Sequence, residues 1–126
     1  MIKVVEGILL GSENAKKLAD FYKDTVGLEM TGEYEMGEAN SNLYVFEMKG
    51  SAGLYIVDHS EVKGRNKMPG RYILNFEVDN IEEEVKRVKN AKAKLVKDIY
   101  HVEDYGYIAT FEDPDGNYFQ LVKTRD

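Results

Sequence analysis

The sequence contains no cysteine, and this absence excludes several kinds of site. Disulfide bonds, thiol nucleophiles, thiolate zinc sites and iron–sulfur clusters all require cysteine. No apolar run approaches the length that spans a membrane. The first residues also lack the basic flank, the apolar core and the small-residue cleavage site of a signal peptide. We therefore expect a cytoplasmic protein that does not associate with a membrane.

The sequence also has fewer basic than acidic residues. The chain has 17 Lys and Arg against 23 Asp and Glu, which gives a formal net charge of −6. Nonspecific nucleic-acid binding needs a basic surface that displaces counterions, so nucleic acid is not an expected partner. The charge is compatible with a neutral or cationic small ligand, although solubility alone would also explain it.

The remaining composition is that of one soluble domain. Of the 126 residues, 43% are hydrophobic and 32% are charged, as in ordinary globular proteins. A domain of this size buries about two-thirds of its unfolded surface. The sequence can therefore form a core without disulfides or structural metals.

The hydrophobic pattern predicts the same series of elements twice, on either side of a polar segment, His59–Gly70. In the first half we predict a helix at Asn14–Val26 and strands at Ile2–Leu10, Leu28–Glu35, Asn42–Met48 and Gly53–Val57. In the second half we predict a helix at Asn80–Asn90 and strands at Tyr72–Val78, Lys94–Lys97, Gly106–Glu112 and Asn117–Lys123.

The two halves also match residue by residue. Phe46-Glu47 and Phe111-Glu112 are separated by the same 65 residues as Val57 and Val122. An internal repeat is a strong fold signal because both halves must bury similar faces. The sequence predicts an α+β protein of two βαβββ modules, and the alternative is an ordinary α+β domain with chance similarity.

Three segments resemble the vicinal oxygen chelate superfamily, which groups glyoxalases, bleomycin-resistance proteins and extradiol dioxygenases. They are Ser12–Leu28, Asn75–Ile81 and Phe111–Leu121, and they occur in the order of the superfamily. The resemblance implies one glyoxalase-like domain over residues 1–126, with module one at about 1–58, a linker at 59–70 and module two at about 71–126. It further implies sheets that curve into an incomplete barrel around a cleft, and a homodimer.

The resemblance places the metal-ligand positions of the superfamily at Gly7, Tyr55, Ile73 and Gln120. Only Gln120 carries an ordinary oxygen ligand, whereas a catalytic ion takes about three protein ligands. A slip of one residue would substitute Glu6 and Tyr72, and it still supplies no histidine. We therefore expect no metal in this site and no cofactor. His59 and His101 lie away from these positions and are interpreted as solvated loop residues, with metal binding there as the alternative.

Strand alternation predicts which side chains line the cleft. The resemblance places Gln120 at the cleft and Ile73 at a ligand position. From these, alternation along the strands, a hairpin pairing Glu112 with Asn117 and the 65-residue repeat give seven candidate ligand-binding residues. They are Tyr44, Phe46, Tyr55, Asn75, Phe111, Tyr118 and Gln120. The helix-facing set is uniformly apolar: Ile8, Leu10, Leu54, Ile56, Leu74, Phe76, Phe119 and Leu121. The candidate aromatics could instead fill the barrel or a dimer interface.

Three functions are compatible with this sequence. The first is a metal-free protein that binds a small aromatic or cationic organic molecule, similar to the antibiotic-binding branch of the superfamily. The second is a metal-dependent lyase, isomerase or dioxygenase of the same superfamily. The third is a metal-free enzyme with tyrosine or glutamate as acid–base groups, but no paired carboxylates or Ser-His-Asp arrangement indicates a reaction. Catalytic residues are therefore not assigned.

Overall fold

The computed structural model describes residues 1–36 and 41–125. These residues form two compact units, Met1–Gly64 and the described chain from Arg65 onward. Each unit holds one four-stranded sheet and one helical segment, which confirms the predicted α+β fold with two βαβββ series. The two sheets are separate, and neither closes into a barrel. Within the described ranges, no helix combines the length and the apolar character that crossing a membrane requires.

The first unit contains one helix and four strands. They are β1 (Gly7–Ser12), α1 (Ala15–Asp20), β2 (Gly32–Glu35), β3 (Asn42–Phe46) and β4 (Gly53–Asp58). The strand order is β1-β4-β3-β2, with β1 parallel to β4 and the other pairs antiparallel. The first strand begins at Gly7 and not at Ile2, because the pairing of β1 with β4 starts at Gly7 and Gly53.

The helix of the first unit begins and ends where the sequence predicted. The Asn14 side chain accepts a hydrogen bond from the backbone N–H of Lys17, as an N-cap residue does. The helix continues beyond α1 as a π-helical segment, Phe21–Val26, and stops at Gly27. Gly27 has a φ of 97°, the left-handed conformation that glycine adopts without strain.

The second unit repeats this arrangement. Its elements are β5 (Leu74–Glu77), α2 (Ile81–Asn90), β6 (Lys94–Val102), β7 (Gly106–Glu112) and β8 (Tyr118–Thr124). The strand order is β5-β8-β7-β6, with β5 parallel to β8. The Asn80 side chain accepts from the Glu83 N–H at 3.1 Å and caps α2, while Ile81, Val85 and Val88 are buried. The strand β6 is longer than predicted because its pairing with β7 continues to Val102.

The register gives each sheet two distinct faces, because residues paired across neighbouring strands point to the same side. We call the side that carries Leu54 in unit one and Phe119 in unit two the helix face, and the other side the far face. The eight residues predicted to face the helices share the helix face, as Ile8 with Leu54 and Leu74 with Phe119 illustrate. This part of the prediction is confirmed.

The closing hairpin has a register different from the predicted one. Glu112 pairs with Tyr118 and not with Asn117. The Asp113 carboxylate accepts from the backbone N–H groups of Asp115 and Asn117, both at 2.9 Å, and this lengthens the turn by one residue. A shift of one residue moves every side chain of a strand to the opposite face relative to its partner.

Candidate functional site

The far face of the first sheet is organised around Tyr55, in the middle of β4. In register, Tyr55 lies between Leu9 on β1 and Val45 on β3. Tyr55 is half-buried and Val45 is buried, whereas Leu9 is 62% exposed. An exposed leucine beside an aromatic ring gives this face an apolar surface next to a polar hydroxyl group.

Two glycines allow the Tyr55 ring to lie against the sheet. A Cβ atom added at Gly7 would stand 2.1 Å from Cε2 of Tyr55, and one added at Gly53 would stand 3.0 Å from its hydroxyl oxygen. Real Cβ atoms do not approach neighbours as closely as the first of these distances. The ring therefore occupies the space that a side chain at position 7 would need, and only glycine at that position leaves the ring where it is.

The Tyr55 hydroxyl group is fixed by Glu6. It donates a hydrogen bond to Oε2 of the Glu6 carboxylate, and the Glu6 carbonyl oxygen accepts from the Gly53 N–H at 3.1 Å. Glu6 thus contacts the same strand through its main chain and its side chain. The residue lies just before β1 and is exposed.

The electrostatic surroundings of Tyr55 keep its phenol protonated. The hydrogen bond to Glu6 is the main cause that raises the pKa of Tyr55 above its ordinary value of 10.0, followed by burial and by the negative charges of Glu6 and Glu47. A phenol of this kind is a neutral hydrogen-bond donor at ordinary pH. It is a poor metal ligand, because a tyrosine binds a cation through its ionised oxygen.

The far face of the second sheet is polar. Gln120, in the middle of β8, lies between Asn75 on β5 and Thr110 on β7. Its Nε2 donates to Oγ1 of Thr110 at 2.9 Å, so that within the described ranges its amide oxygen is left as an acceptor without a partner. Asn75 is exposed and Tyr118 is half-buried on this same face.

Carboxylates on the second far face already have partners. Glu112 forms ion pairs with Arg65 at 2.7 Å and with Lys94 at 3.4 Å. Glu77 accepts a hydrogen bond from the Thr124 hydroxyl group. The amides of Asn75 and Gln120 lie on the same face beside these paired carboxylates.

Three of the seven candidate residues lie on the helix face, so the expectation that they share a face with Tyr55 and Gln120 is wrong. Tyr44 pairs with Ile56, Phe46 with Leu54, and Phe111 with Phe119. The three are buried in the core, with 4%, 0% and 0% exposure. The cause is the one-residue error in the hairpin register, which the repeat carried into module one. Asn75, Tyr55, Tyr118 and Gln120 lie on the far faces as predicted.

Comparison with known proteins agrees with this architecture. Residues 5–121 match the family model described as the Glyoxalase/Bleomycin resistance protein/Dioxygenase superfamily. The chain belongs to this superfamily. A curated relative is the uncharacterized protein YetH of Bacillus subtilis (strain 168), which is 26% identical over 121 residues and covers 96% of this chain and 98% of YetH.

Two solved structures show the same fold. SMU.1112c has a TM-score of 0.81 at 20% identity and covers 98% of this chain and 100% of its own. TnmS3, an antibiotic binding protein from Streptomyces sp. CB03234, has a TM-score of 0.76 at 22% identity and covers 98% of each chain. Similarity at this level of identity establishes the fold of a superfamily member and leaves the ligand open.

The metal-ligand positions of the superfamily do not fit a metal ion in this member. Gly7 and Ile73 have no donor atom in their side chains, and the Tyr55 ring fills the space above Gly7. Glu6, the alternative at the first position, already accepts the hydrogen bond of Tyr55. Across residues 1–36 and 41–125, no three His, Cys, Asp or Glu side chains are grouped so that they could hold an ion.

The two histidines lie in different units, and a Cβ atom added at Gly11, on the far face of β1, would stand 3.1 Å from Cβ of His59. His59 follows β4, and its Nδ1 accepts from the backbone N–H of Glu61 at 3.2 Å. His101 lies on β6, with its ring centroid 4.9 Å from that of Tyr107. His101 was expected in a loop, so its place in a strand corrects that interpretation.

Sequence reasoning missed Glu6 and Thr110 as functional neighbours. Glu6 was considered only as an alternative metal ligand, and nothing in its spacing indicates that it binds the Tyr55 hydroxyl group. Thr110 follows from the correct hairpin register, since it pairs directly with Gln120. The correct turn length would therefore have placed Thr110 beside Gln120, whereas no sequence pattern places Glu6 beside Tyr55.

Proposed function

We propose that this protein binds a small aromatic or cationic organic molecule on the far faces of its sheets, without a catalytic metal. The observation that carries the proposal is the position of the Tyr55 ring over Gly7 and Gly53. The Tyr55 ring occupies the space at Gly7, the first metal-ligand position of the superfamily, and its hydroxyl group donates a hydrogen bond to the Glu6 carboxylate. This arrangement suits contact with an organic molecule better than coordination of an ion.

The polar groups of the second far face support the same function. The Gln120 amide is oriented by Thr110 and presents its oxygen, and Asn75 beside it is exposed. A ligand site is typically apolar with a few fixed polar groups. In the first unit Tyr55 and Leu9 supply aromatic and apolar surface; in the second, Tyr118 supplies aromatic surface and the two amides supply hydrogen-bonding groups. TnmS3, which has the same fold, is described as an antibiotic binding protein.

Calorimetric titration with zinc, nickel and manganese tests the metal part of the proposal. The experiment uses the wild type and the Gln120→Ala variant. Asn90→Ala, which removes an exposed side-chain amide elsewhere in the second unit, is the control. We expect no tight one-to-one binding that depends on Gln120, because one amide oxygen cannot replace the hydration of a divalent ion. Tight binding abolished by Gln120→Ala alone would overturn the proposal and favour a metal-dependent lyase, isomerase or dioxygenase.

Binding of organic molecules is tested by two-dimensional ¹H–¹⁵N NMR with benzyl alcohol and choline as simple aromatic and cationic probes. We expect the backbone signals of Gly7, Gly53, Tyr55 and Gln120 to shift more than those of the helix-face residues. Shifts confined to residues outside the far faces, or no saturable shift with either probe, would contradict the proposal.

The homodimer implied by the superfamily resemblance stays a prediction. Several apolar side chains near the start of the chain are exposed, including Ile2 and Val4 at 91% and 72%. Such residues would gain from burial against a second copy. Sedimentation velocity at micromolar concentration tests this, and a monomer at all concentrations would refute it.

A further inference from the structure

Glu6 and Tyr55 form a pair whose geometry has a consequence for ligand choice. The Tyr55 ring lies along the sheet over Gly7 and Gly53, so its other side faces away from the sheet. The hydroxyl group donates to one carboxylate oxygen of Glu6. The second oxygen of Glu6 has no hydrogen-bond partner among the residues described, and the side chain is exposed.

We propose that Glu6 and Tyr55 together recognise an organic cation, with the ring face as the contact surface and the Glu6 carboxylate as the counter-charge. The inference rests on the proposed function and specifies the ligand class that this part of the site selects. Cations are attracted to the faces of aromatic rings, and a neighbouring carboxylate strengthens that attraction. Glu6 also acts as a positioning residue, because its hydrogen bond fixes the direction of the ring.

The charges around the ring support a cation over an anion or a neutral molecule. The negative charges of Glu6 and Glu47 both raise the pKa of the Tyr55 phenol. Glu47 directly follows β3, the strand that pairs with β4. Two carboxylates on two different segments of the same unit therefore act on the Tyr55 phenol in the same direction.

Leu9 completes the surface on the apolar side. It lies beside Tyr55 in register and is 62% exposed. A tetraalkylammonium group has apolar methyl groups around its charge, so it can contact a leucine and a tyrosine ring together. A compact ammonium ion is more strongly hydrated and gains less from such a surface.

The experiment compares choline with 3,3-dimethylbutan-1-ol, in which carbon replaces the charged nitrogen and the shape is retained. Affinities are measured on the full chain by ¹H–¹⁵N NMR from the signals of Gly7, Gly53 and Tyr55. We expect the wild type to bind choline about fivefold more tightly than the neutral isostere. Equal affinity for the two probes, or no choline binding, overturns the inference.

Four variants separate the roles of the two residues. Glu6→Gln should remove most of the preference for choline and leave the isostere affinity within about twofold, whereas Glu6→Asp should restore part of it. Tyr55→Leu should abolish the preference, and Tyr55→Phe should reduce it because the ring loses its hydrogen bond to Glu6.

Glu29→Gln is the control, because it removes an equal charge at an exposed position of the same unit. It should leave the preference for choline unchanged. A preference that survives Glu6→Gln, or falls equally in Glu29→Gln, refutes the pair as the recognition unit.

Benzyl alcohol distinguishes failure of this inference from failure of the proposed function. If benzyl alcohol shifts the far-face signals and choline does not, the ligand is a neutral aromatic molecule, and only the cation inference is lost. If neither probe binds, both proposals fail together. Chemical denaturation of each variant establishes that it is folded before its affinity is interpreted.

Discussion

Asp58 and Ala15 are joined by a 2.8 Å hydrogen bond, from the Ala15 backbone N–H to Oδ1 of Asp58. The second oxygen, Oδ2, accepts from the Asn42 backbone N–H at 3.0 Å. One carboxylate at the end of β4 therefore satisfies the first turn of α1 and the start of β3. Since unpaired N–H groups at a helix N-terminus need an acceptor, this residue connects three elements of unit one.

Loss of the Asp58 carboxylate should destabilise the protein without affecting the far face. We expect Asp58→Ala to lower the free energy of unfolding by about 1–3 kcal/mol, because two buried or half-buried N–H groups lose their acceptor. Urea denaturation measures the effect. Asp24→Asn, at an exposed position, is the control and should change stability by less than about 0.5 kcal/mol.

The contact between Gly7 and Tyr55 predicts non-additive substitutions. Gly7→Ala should displace the ring and break its hydrogen bond with Glu6, at a cost of about 0.5–1.5 kcal/mol. In a Tyr55→Ala background the same substitution meets no ring and should cost less. A double-mutant cycle should therefore give a coupling of up to about 1.5 kcal/mol. Gly70→Ala, where an added Cβ meets nothing within 4 Å, is the control, and simple additivity at Gly7 and Tyr55 would contradict the geometry.

Stability should decline at alkaline pH partly through tyrosine. The pKa of Tyr55 is raised chiefly by its hydrogen bond to Glu6, and that of Tyr44 chiefly by burial. When the pKa of a tyrosine is higher in the folded than in the unfolded state, the protonated phenol stabilises the fold. This stabilisation is complete below the unfolded-state pKa, about 10, and is lost as the pH rises through the folded-state pKa. Lys16, whose pKa is raised mainly by its hydrogen bond to Asp20, contributes a loss in the same direction.

Tyr55→Phe isolates one part of that alkaline decline. Denaturation between about pH 9 and pH 11.5 should show a shallower fall in the variant than in the wild type. Tyr72→Phe alters a tyrosine that is 86% exposed and should leave the slope as in the wild type. Identical slopes for wild type and Tyr55→Phe would mean that the Glu6–Tyr55 hydrogen bond is not maintained in solution.

Phe111 should behave as a core residue. Its ring stacks on Phe119 at 5.6 Å with an interplanar angle of 14°, and both side chains are fully buried. We expect Phe111→Ala to cost about 3–5 kcal/mol of stability. The milder Phe111→Leu should remain folded and bind the NMR probes as the wild type does. A large loss of probe affinity in folded Phe111→Leu would restore Phe111 to the candidate site.

The elements of the fold were largely predictable because local patterns determine them. Asn80 before the apolar series Ile81, Val85 and Val88 indicates α2, and Gly27 marks the end of the first helix. The hairpin register was not predictable in this way. It depends on the Asp113 side chain, which binds two backbone N–H groups and lengthens the turn.

That single residue of turn length explains which candidate residues lie on the predicted face of the sheet. Tyr55 and Gln120 were placed through the superfamily resemblance and the 65-residue repeat that joins them, so the error did not affect them. Tyr44, Phe46 and Phe111 were placed by pairing across a hairpin, and they moved to the other face with the register. Glu6 lies outside any strand, where alternation gives no information about the direction of a side chain.

The packing of Tyr55 over Gly7 also restricts how this chain could acquire a metal site. A histidine or glutamate at position 7 would collide with the ring, so that substitution is unfavourable until Tyr55 changes. Replacing Tyr55 first removes the partner of Glu6 and still leaves glycine at position 7 and isoleucine at position 73. No single substitution along this path supplies a working ion site, and the effect of each depends on the others. In mutational terms the two positions are epistatic, and directed evolution toward metal chemistry would have to begin with a library that varies residues 7, 55 and 73 together.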